Sequence, residues 1–164
     1  MNSFFLKSDF GDIQIEYNHE EKIERIQILS KKSKALNSAP PKKLSSFYKE
    51  LKSHLDGKEP NYKLNDFNFE KLPSFQQTVL RTTFKIPFSA TRSYSEIALL
   101  SGKPGASRAV GTALKRNPFP LAVPCHRVLK KNGELGQFNA PGGKATKKRL
   151  LELEGCSTLM RAKP

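Results

Sequence analysis

The chain is short of the residues that brace a fold covalently or through metal: 164 residues hold 2 Cys, 3 His and no Trp. Two cysteines do not make a disulfide scaffold in a chain this long, so the fold must rest on a hydrophobic core. Cys125 and His126 are direct neighbours, and no C-x-x-C or H-x-x-x-H spacing occurs, which argues against a metal site. Long apolar runs are also missing. Nothing approaches the ~20 residues of a membrane span, and Met1 to Lys7 lacks a signal-peptide profile, so a soluble, intracellular protein with no membrane partner is expected. Acidic residues are scarce too: 15 Asp and Glu face 29 Lys and Arg, a net charge of +14. Residues 1–89 carry 15 basic and 11 acidic side chains, whereas residues 90–164 carry 14 and 4. The C-terminal part is therefore the side that would meet a polyanion.

What is present is enough for a core, with 37% hydrophobic residues and 11 Phe. Ile13, Ile15 and Tyr17 alternate with polar residues, as do Ile26 and Ile28, which predicts an antiparallel sheet with turns at Gly11-Asp12 and His19 to Glu21. Lys31 to Lys43, with Pro40-Pro41, reads as a basic linker. Leu44, Phe47, Tyr48, Leu51 and Leu55 then recur with helical spacing up to Asp56-Gly57. A boundary is placed near residue 70, giving a sheet-and-helix domain over 1–70 and a second domain over 71–164.

The second domain opens with a helix carrying Phe75, Val79, Leu80 and Phe84 on one face. Ser93 and Glu96 fit a capping box for a short helix with Tyr94 in its first turn. After Gly102 and Pro104-Gly105 comes a helix from Ala106 to Arg116, with Ala109, Val110, Ala113 and Leu114 on one side and Arg108, Thr112 and Lys115 on the other. This is the pattern of a helix-turn-helix. Gly111 inside it costs about 1 kcal/mol relative to alanine; with Ala106, Ser107 and Ala109 it leaves a slim helix that another backbone could approach closely, or that simply packs tightly on a neighbouring helix. Asn132-Gly133 between two mixed runs predicts a hairpin, the wing of a winged helix. A helix over Lys144 to Glu154 turns Leu150, Leu151 and Leu153 inward.

Pro118, Pro120 and Pro124 predict an extended, stiff approach to Cys125. A thiol becomes a good nucleophile only when ionised. His126 is placed to take its proton, through a water because neighbouring side chains seldom face each other. Glu154 is a candidate to orient that imidazole in a Cys/His/Glu relay. Other readings of these residues are a winged-helix transcription factor with Cys125 as core filler, and a thiol hydrolase that regenerates its thiol.

Pro124-Cys125-His126-Arg127-Val128, preceded by Ser107-Arg108-Ala109-Val110-Gly111 and Asn117-Pro118, resembles the O6-alkylguanine-DNA alkyltransferases, the methylated-DNA–protein-cysteine methyltransferases. The likeness covers roughly Pro73 to Gly155. It implies an α+β protein, with an N-terminal ribonuclease H-like sheet and helix followed by a winged helix-turn-helix. It implies a DNA repair protein that acts once, moving the alkyl group of O6-alkylguanine (with O4-alkylthymine as a further candidate) irreversibly onto Cys125 after flipping the nucleotide.

By the same resemblance His126 and Glu154 would activate the thiol, and Asn117 would brace the turn that holds it. Tyr94 would crowd a backbone phosphate and donate a hydrogen bond to guanine. Arg108 would fill the gap left by the flipped base. Ser107, Ala109, Gly111, Thr112 and Lys115 would line the minor-groove face, with Arg92, Arg116, Lys130 and Lys131 on phosphates. The main-chain carbonyls of Cys125 and Val128 would read the guanine amino group, Phe138 would wall the pocket, and Asn139 would offer its amide to O6. The resemblance implies a monomer on double-stranded DNA with no cofactor, in the cytoplasm of a prokaryote or the nucleus of a eukaryote. Some relatives bind zinc in the N-terminal domain; with no cysteine before Cys125, none is expected here.

Overall fold

Alternating apolar residues make three short strands, β1 (Asn2–Leu6), β2 (Ile13–Tyr17) and β3 (Ile23–Ile28), an antiparallel sheet in chain order. Phe4, Leu6, Ile13, Ile15, Ile23, Ile26 and Ile28 point to the core, while Gln14, Glu16 and Arg25 pair on the other face. The period of two buries Ile13, Ile15, Ile26 and Ile28 on one face, and a register shift between Glu16 and Tyr17 brings Ile23, three residues before Ile26, to the same side. The computed structural model describes residues 1–30 and 38–156; of the linker expected over Lys31 to Lys43, residues 31–37 lie outside the described residues. A 3-10 turn at Lys42–Leu44, with Leu44 buried, leads into α1 (Ser45–Leu55), which buries Phe47, Leu51 and His54.

The chain next crosses at Phe67 and Phe69. Phe67 packs on Phe47 of α1 with ring centroids 5.7 Å apart and on Phe119 at 5.1 Å. One hydrophobic cluster therefore runs from Phe4 and Ile15 through Phe47 to Val110, Leu121 and Leu150, and the two halves share it. Ile26 N–H donates to the Pro118 carbonyl at 2.8 Å, a further tie from the sheet to the loop that precedes Cys125.

Three helices then stack on one another: α2 (Ser74–Phe84), α3 (Tyr94–Leu100) and α4 (Ser107–Lys115). The capping box at α3 is present, with Ser93 Oγ accepting from Glu96 N–H and Glu96 Oε2 accepting from Ser93 N–H. Gln76 of α2 donates to the carbonyls of Ala113 and Arg116, the unsatisfied C-terminal end of α4, and so fixes that helix on its neighbour. On α4, Val110, Ala113 and Leu114 are buried, but Ala109 is exposed, contrary to the inward position expected for it.

The expected hairpin is not formed. Asn132-Gly133 makes a tight turn in which Lys130 N–H reaches the Glu134 carbonyl at 2.9 Å, yet no strand follows it. Instead β5 (Val128–Leu129) pairs in parallel with β4 (Arg92–Ser93). Val128 and Leu129 are both buried, so their ladder partner is the core-facing strand rather than the exposed run from Glu134. α5 (Lys144–Leu153) closes the fold by burying Leu150 and Leu151. Among the described residues no helix is long and apolar enough to cross a membrane.

Candidate active site

The three prolines before Cys125 do not give an extended approach; the segment folds back on itself. Asn117 Oδ1 accepts from Phe119 N–H at 2.9 Å, and its Nδ2 donates to the Val123 carbonyl at 3.0 Å, so one side chain spans the loop. Val123 N–H reaches the Phe119 carbonyl, and Cys125 N–H reaches the Val123 carbonyl at 2.8 Å. Pro124 at φ −81° and ψ 65° sits at the centre of that inverse γ-turn. Leu121 adopts φ +73°, a left-handed conformation that costs a non-glycine residue about 1–2 kcal/mol. Its fully buried side chain helps hold it there. The cysteine thus opens a 3-10 turn, Cys125–Arg127, whose backbone is fixed on both sides.

Behind the thiol lies a buried polar cluster. His126 Nε2 is 2.8 Å from Glu154 Oε1, and Arg127 grips the same carboxylate with Nε on Oε2 at 2.8 Å and Nη2 on Oε1 at 2.9 Å. A third group comes from the N-terminal half: His54 of α1 places Nε2 2.7 Å from Oε1 and Nδ1 3.0 Å from the Tyr62 hydroxyl. Burial alone would raise the Glu154 carboxyl, but these contacts outweigh it and hold the group well below the usual carboxylate range. With Glu154 ionised, both imidazoles must offer Nε2–H to it. His126 Nδ1 then carries a lone pair, and this atom is buried without a hydrogen-bond partner. Burial lowers the His126 pKa to about 4, so it is neutral near pH 7, the state a base needs.

Ligand-capable atoms of His54, His126 and Glu154 lie within 4.8 Å of one another, a grouping that would suit a cation by distance alone. Arg127 argues otherwise. Its guanidinium already neutralises the carboxylate, so a divalent ion would leave a buried excess of positive charge. The cluster is a hydrogen-bonded relay.

On its other side Cys125 meets a pocket of about 270 Å³ lined also by Tyr94, Asn117, Phe138 and Asn139. Burial pushes the Cys125 thiol up, against pulls from the Asn117 side chain and the Lys147 ammonium. The resting thiol is therefore protonated and needs a base. Lys147 was not singled out by the sequence, yet it is fully buried on α5, with Nζ donating to the Val128 carbonyl at 2.6 Å and lying 5.8 Å from the Tyr94 ring centre. Burial lowers its pKa to about 8, with nearby Cys125 acting the other way. The Val128 carbonyl thus already accepts one hydrogen bond, and the Cys125 carbonyl accepts one from Val128 N–H. Val128 itself does not line the pocket.

Tyr94 lines both this pocket and an adjoining surface groove with Ser107, Arg108, Gly111, Lys130 and Lys131. Arg108 of α4 is exposed in that groove, which Tyr94 of α3 also lines, and Ala109 is exposed beside it. Thr112, Lys115 and Arg116 face a separate cleft toward Arg25 of β3, and Asn139 Nδ2 donates to the Lys115 carbonyl at 3.1 Å. Arg92 is half-buried. Gly136 lets Tyr94 approach: a Cβ there would meet the tyrosine Cε2 and Cζ at 2.9 Å and crowd its hydroxyl. Gly136→Ala is expected to displace the Tyr94 ring from the pocket wall. Tyrosine ring signals in NMR spectra compared with thermal melts check this: a shifted Tyr94 signal at unchanged melting temperature is the expected pair of results.

The sequence signals for the missed residues are modest but real. His54 occupies an inward position of α1, at i+7 from Phe47 and i+3 from Leu51. Lys147 stands three and four residues before Leu150 and Leu151, on the apolar face of α5. A titratable residue at a core position is the sign both share.

A family model described as 6-O-methylguanine DNA methyltransferase, DNA binding domain, matches residues 74–156. The chain is 40% identical over 121 residues to a methylated-DNA–protein-cysteine methyltransferase of Methanothermobacter thermautotrophicus, covering 74% of this chain and 66% of that protein. A protein of the same name from Methanosarcina barkeri is 34% identical over 152 residues, or 91% of this chain and 94% of the relative. A crystal structure of Mycobacterium tuberculosis OGT in complex with DNA superposes with a TM-score of 0.79 at 31% identity, over 99% of this chain and 96% of that one. The aligned part spans 66%, 47% and 40% of the relatives from Methanothermobacter thermautotrophicus, Mycobacterium leprae and Mus musculus.

Proposed function

This chain belongs to the 6-O-methylguanine DNA methyltransferase family, and on that premise we propose that it repairs DNA by moving an alkyl group from guanine O6 onto Cys125, once per molecule. The observation that carries the reading is the position of Cys125, between a pocket opening beside Tyr94 and a buried relay ending on Glu154. His126 Nδ1 takes the thiol proton through a water. The thiolate attacks the alkyl carbon in line, the carbon–O6 bond breaks, and its electron pair passes to the purine. The Tyr94 hydroxyl supplies the proton that guanine then gains. The proton held on His126 then returns through solvent to the Tyr94 phenolate, so that one proton has left the thiol, one has entered the base, and both side chains are restored. The product thioether has no hydrolytic way back.

A base inside a duplex stack cannot reach a recessed sulfur, so the nucleotide must swing out, at a cost of a few kcal/mol. Arg108, exposed at the rim of the groove next to Tyr94, is placed to fill the vacated space. The narrow face made by Ser107, Ala109 and Gly111 suits a minor groove, which carries little base information and fits a search independent of sequence. Thr112, Lys115, Arg116 and Lys131 supply the flanking contacts to phosphates. Phe138 walls the pocket, Asn139 borders it at O6, and the Cys125 carbonyl takes the guanine amino group, while Val128, outside the pocket lining, keeps its carbonyl on Lys147. In this reading residues 71–164 form a helix-turn-helix unit that grips DNA, its wing reduced to the turn at Asn132-Gly133, and residues 1–70 buttress it as a ribonuclease H-like unit.

Arg108→Ala tests the flipping step. Transfer from a methylated duplex is expected to fall by about 1–3 kcal/mol of activation free energy, the scale of one lost polar contact to DNA, while transfer from free alkylguanine holds. Equal losses on both substrates would remove Arg108 from that role.

A further inference from the structure

The relay is not confined to the half of the chain that the family model matches. Glu154 Oε1 accepts three hydrogen bonds, from His126, Arg127 and His54, and the His54 contact at 2.7 Å is the shortest. His54 is 1% exposed, and its other nitrogen is fixed by the Tyr62 hydroxyl, so the ring has one orientation. Phe88 packs edge-on against it at 6.1 Å, and the His126 ring lies 6.3 Å away. Arg127 alone would fix the carboxylate's plane. A third donor on the oxygen that His126 uses must therefore do something other than orient it.

We propose that His54 is a positioning residue for alkyl transfer: by sharing Glu154 Oε1 with His126 it sets how strongly that carboxylate holds a proton on His126. This rests on the reading of His126 as the base for Cys125. An N–H directed at Oε1 offsets part of the carboxylate's negative potential. His126 therefore feels a weaker anion than a bare Arg127–Glu154 pair would present and gives up its proton more readily. The charged and titratable groups around the two imidazoles are Glu154 at the end of α5, Arg127 and Cys125 on the 3-10 turn, and Tyr62 with Glu50 on the α1 side. Of these, Glu154 alone is hydrogen-bonded to both rings, so Oε1 is the contact they share. The N-terminal half would thereby contribute to the chemistry as well as to the fold.

The test is the protonation of His126 followed by ¹⁵N NMR of the imidazole nitrogens in the full chain, with His54→Leu, His54→Asn and His54→Gln. Leucine has no donor, and asparagine reaches Tyr62 but falls short of Oε1; in both, the His126 midpoint is expected to rise by about one pH unit, a tenfold change in proton affinity. Glutamine can extend an amide N–H to Oε1 and should restore the parent midpoint. The acid limb of the transfer rate should move with the midpoint in each variant. If the leucine protein does not fold, asparagine keeps one polar contact and gives the same reading. An unchanged His126 midpoint in a folded leucine or asparagine variant overturns the proposal. Because the titration needs no alkylated DNA, that outcome is distinct from a parent protein that fails to acquire a methyl group.

Discussion

Cys125→Ala is expected to abolish alkyl transfer completely while leaving affinity for duplex DNA unchanged. In the proposed reaction the thiol is the acceptor, and the other cysteine does not stand in for it. Cys156 is buried in a separate small cluster with Leu129 and Leu151, and burial pushes its thiol up to about 11. It is neither ionised nor near the pocket. The surfaces that would hold DNA, around Arg108, Ser107 and Lys131, lie on α4 and the turn after β5 and do not depend on the sulfur. Gel-shift titration and transfer assays on the same preparation separate the two functions. A variant that loses binding and transfer together would show instead that Cys125 holds the fold of its loop.

Glu154→Gln is expected to combine the largest loss of stability with a large loss of rate. The amide keeps the carboxylate's shape but not its charge, so Arg127, 5% exposed, is left buried without its counter-ion. Breaking one partner of a buried pair costs about 3–5 kcal/mol, which urea denaturation will show as a lower midpoint. In the proposed reaction the His126 imidazolium would lose its anion, and transfer should slow by about 10²–10⁴-fold, the range for general base catalysis. The parent protein has a matching pH signature. Its folded His126 titrates near 4, below the ordinary 6.5, so as pH falls between those values the unfolded chain takes up a proton that the folded chain refuses. Stability therefore declines through that window. Glu154, depressed below its ordinary 4.5, extends the decline to lower pH, because the unfolded carboxylate is protonated first. In the glutamine variant this second limb disappears.

The residues that announced themselves in the sequence were those whose spacing carries a period or a motif. Alternating isoleucines gave the sheet, Ser93 and Glu96 gave a capped helix, and Pro124 to Val128 marked the reactive turn. The hairpin at Asn132-Gly133 misled because a turn signal reports only local backbone preference. Whether a ladder follows depends on a partner, and β5 found one in β4, 36 residues away in register from Arg92 to Val128. The prolines before Cys125 likewise suggested stiffness but not direction; a left-handed Leu121 and the two-ended grip of Asn117 turn the loop back. His54 reaches Glu154 across 100 residues of chain, a contact that no local pattern encodes. Its only trace is a histidine on the apolar stripe of α1.

The account turns on where the alkyl group ends. The most direct measurement is the mass of the intact protein and of its peptides after one exposure to excess short duplex containing O6-methylguanine. One added methyl group, on the peptide that contains Cys125 and at one equivalent per chain, is the result predicted. Continued release of repaired DNA beyond one equivalent, or an unmodified Cys125 after the guanine is restored, would contradict it.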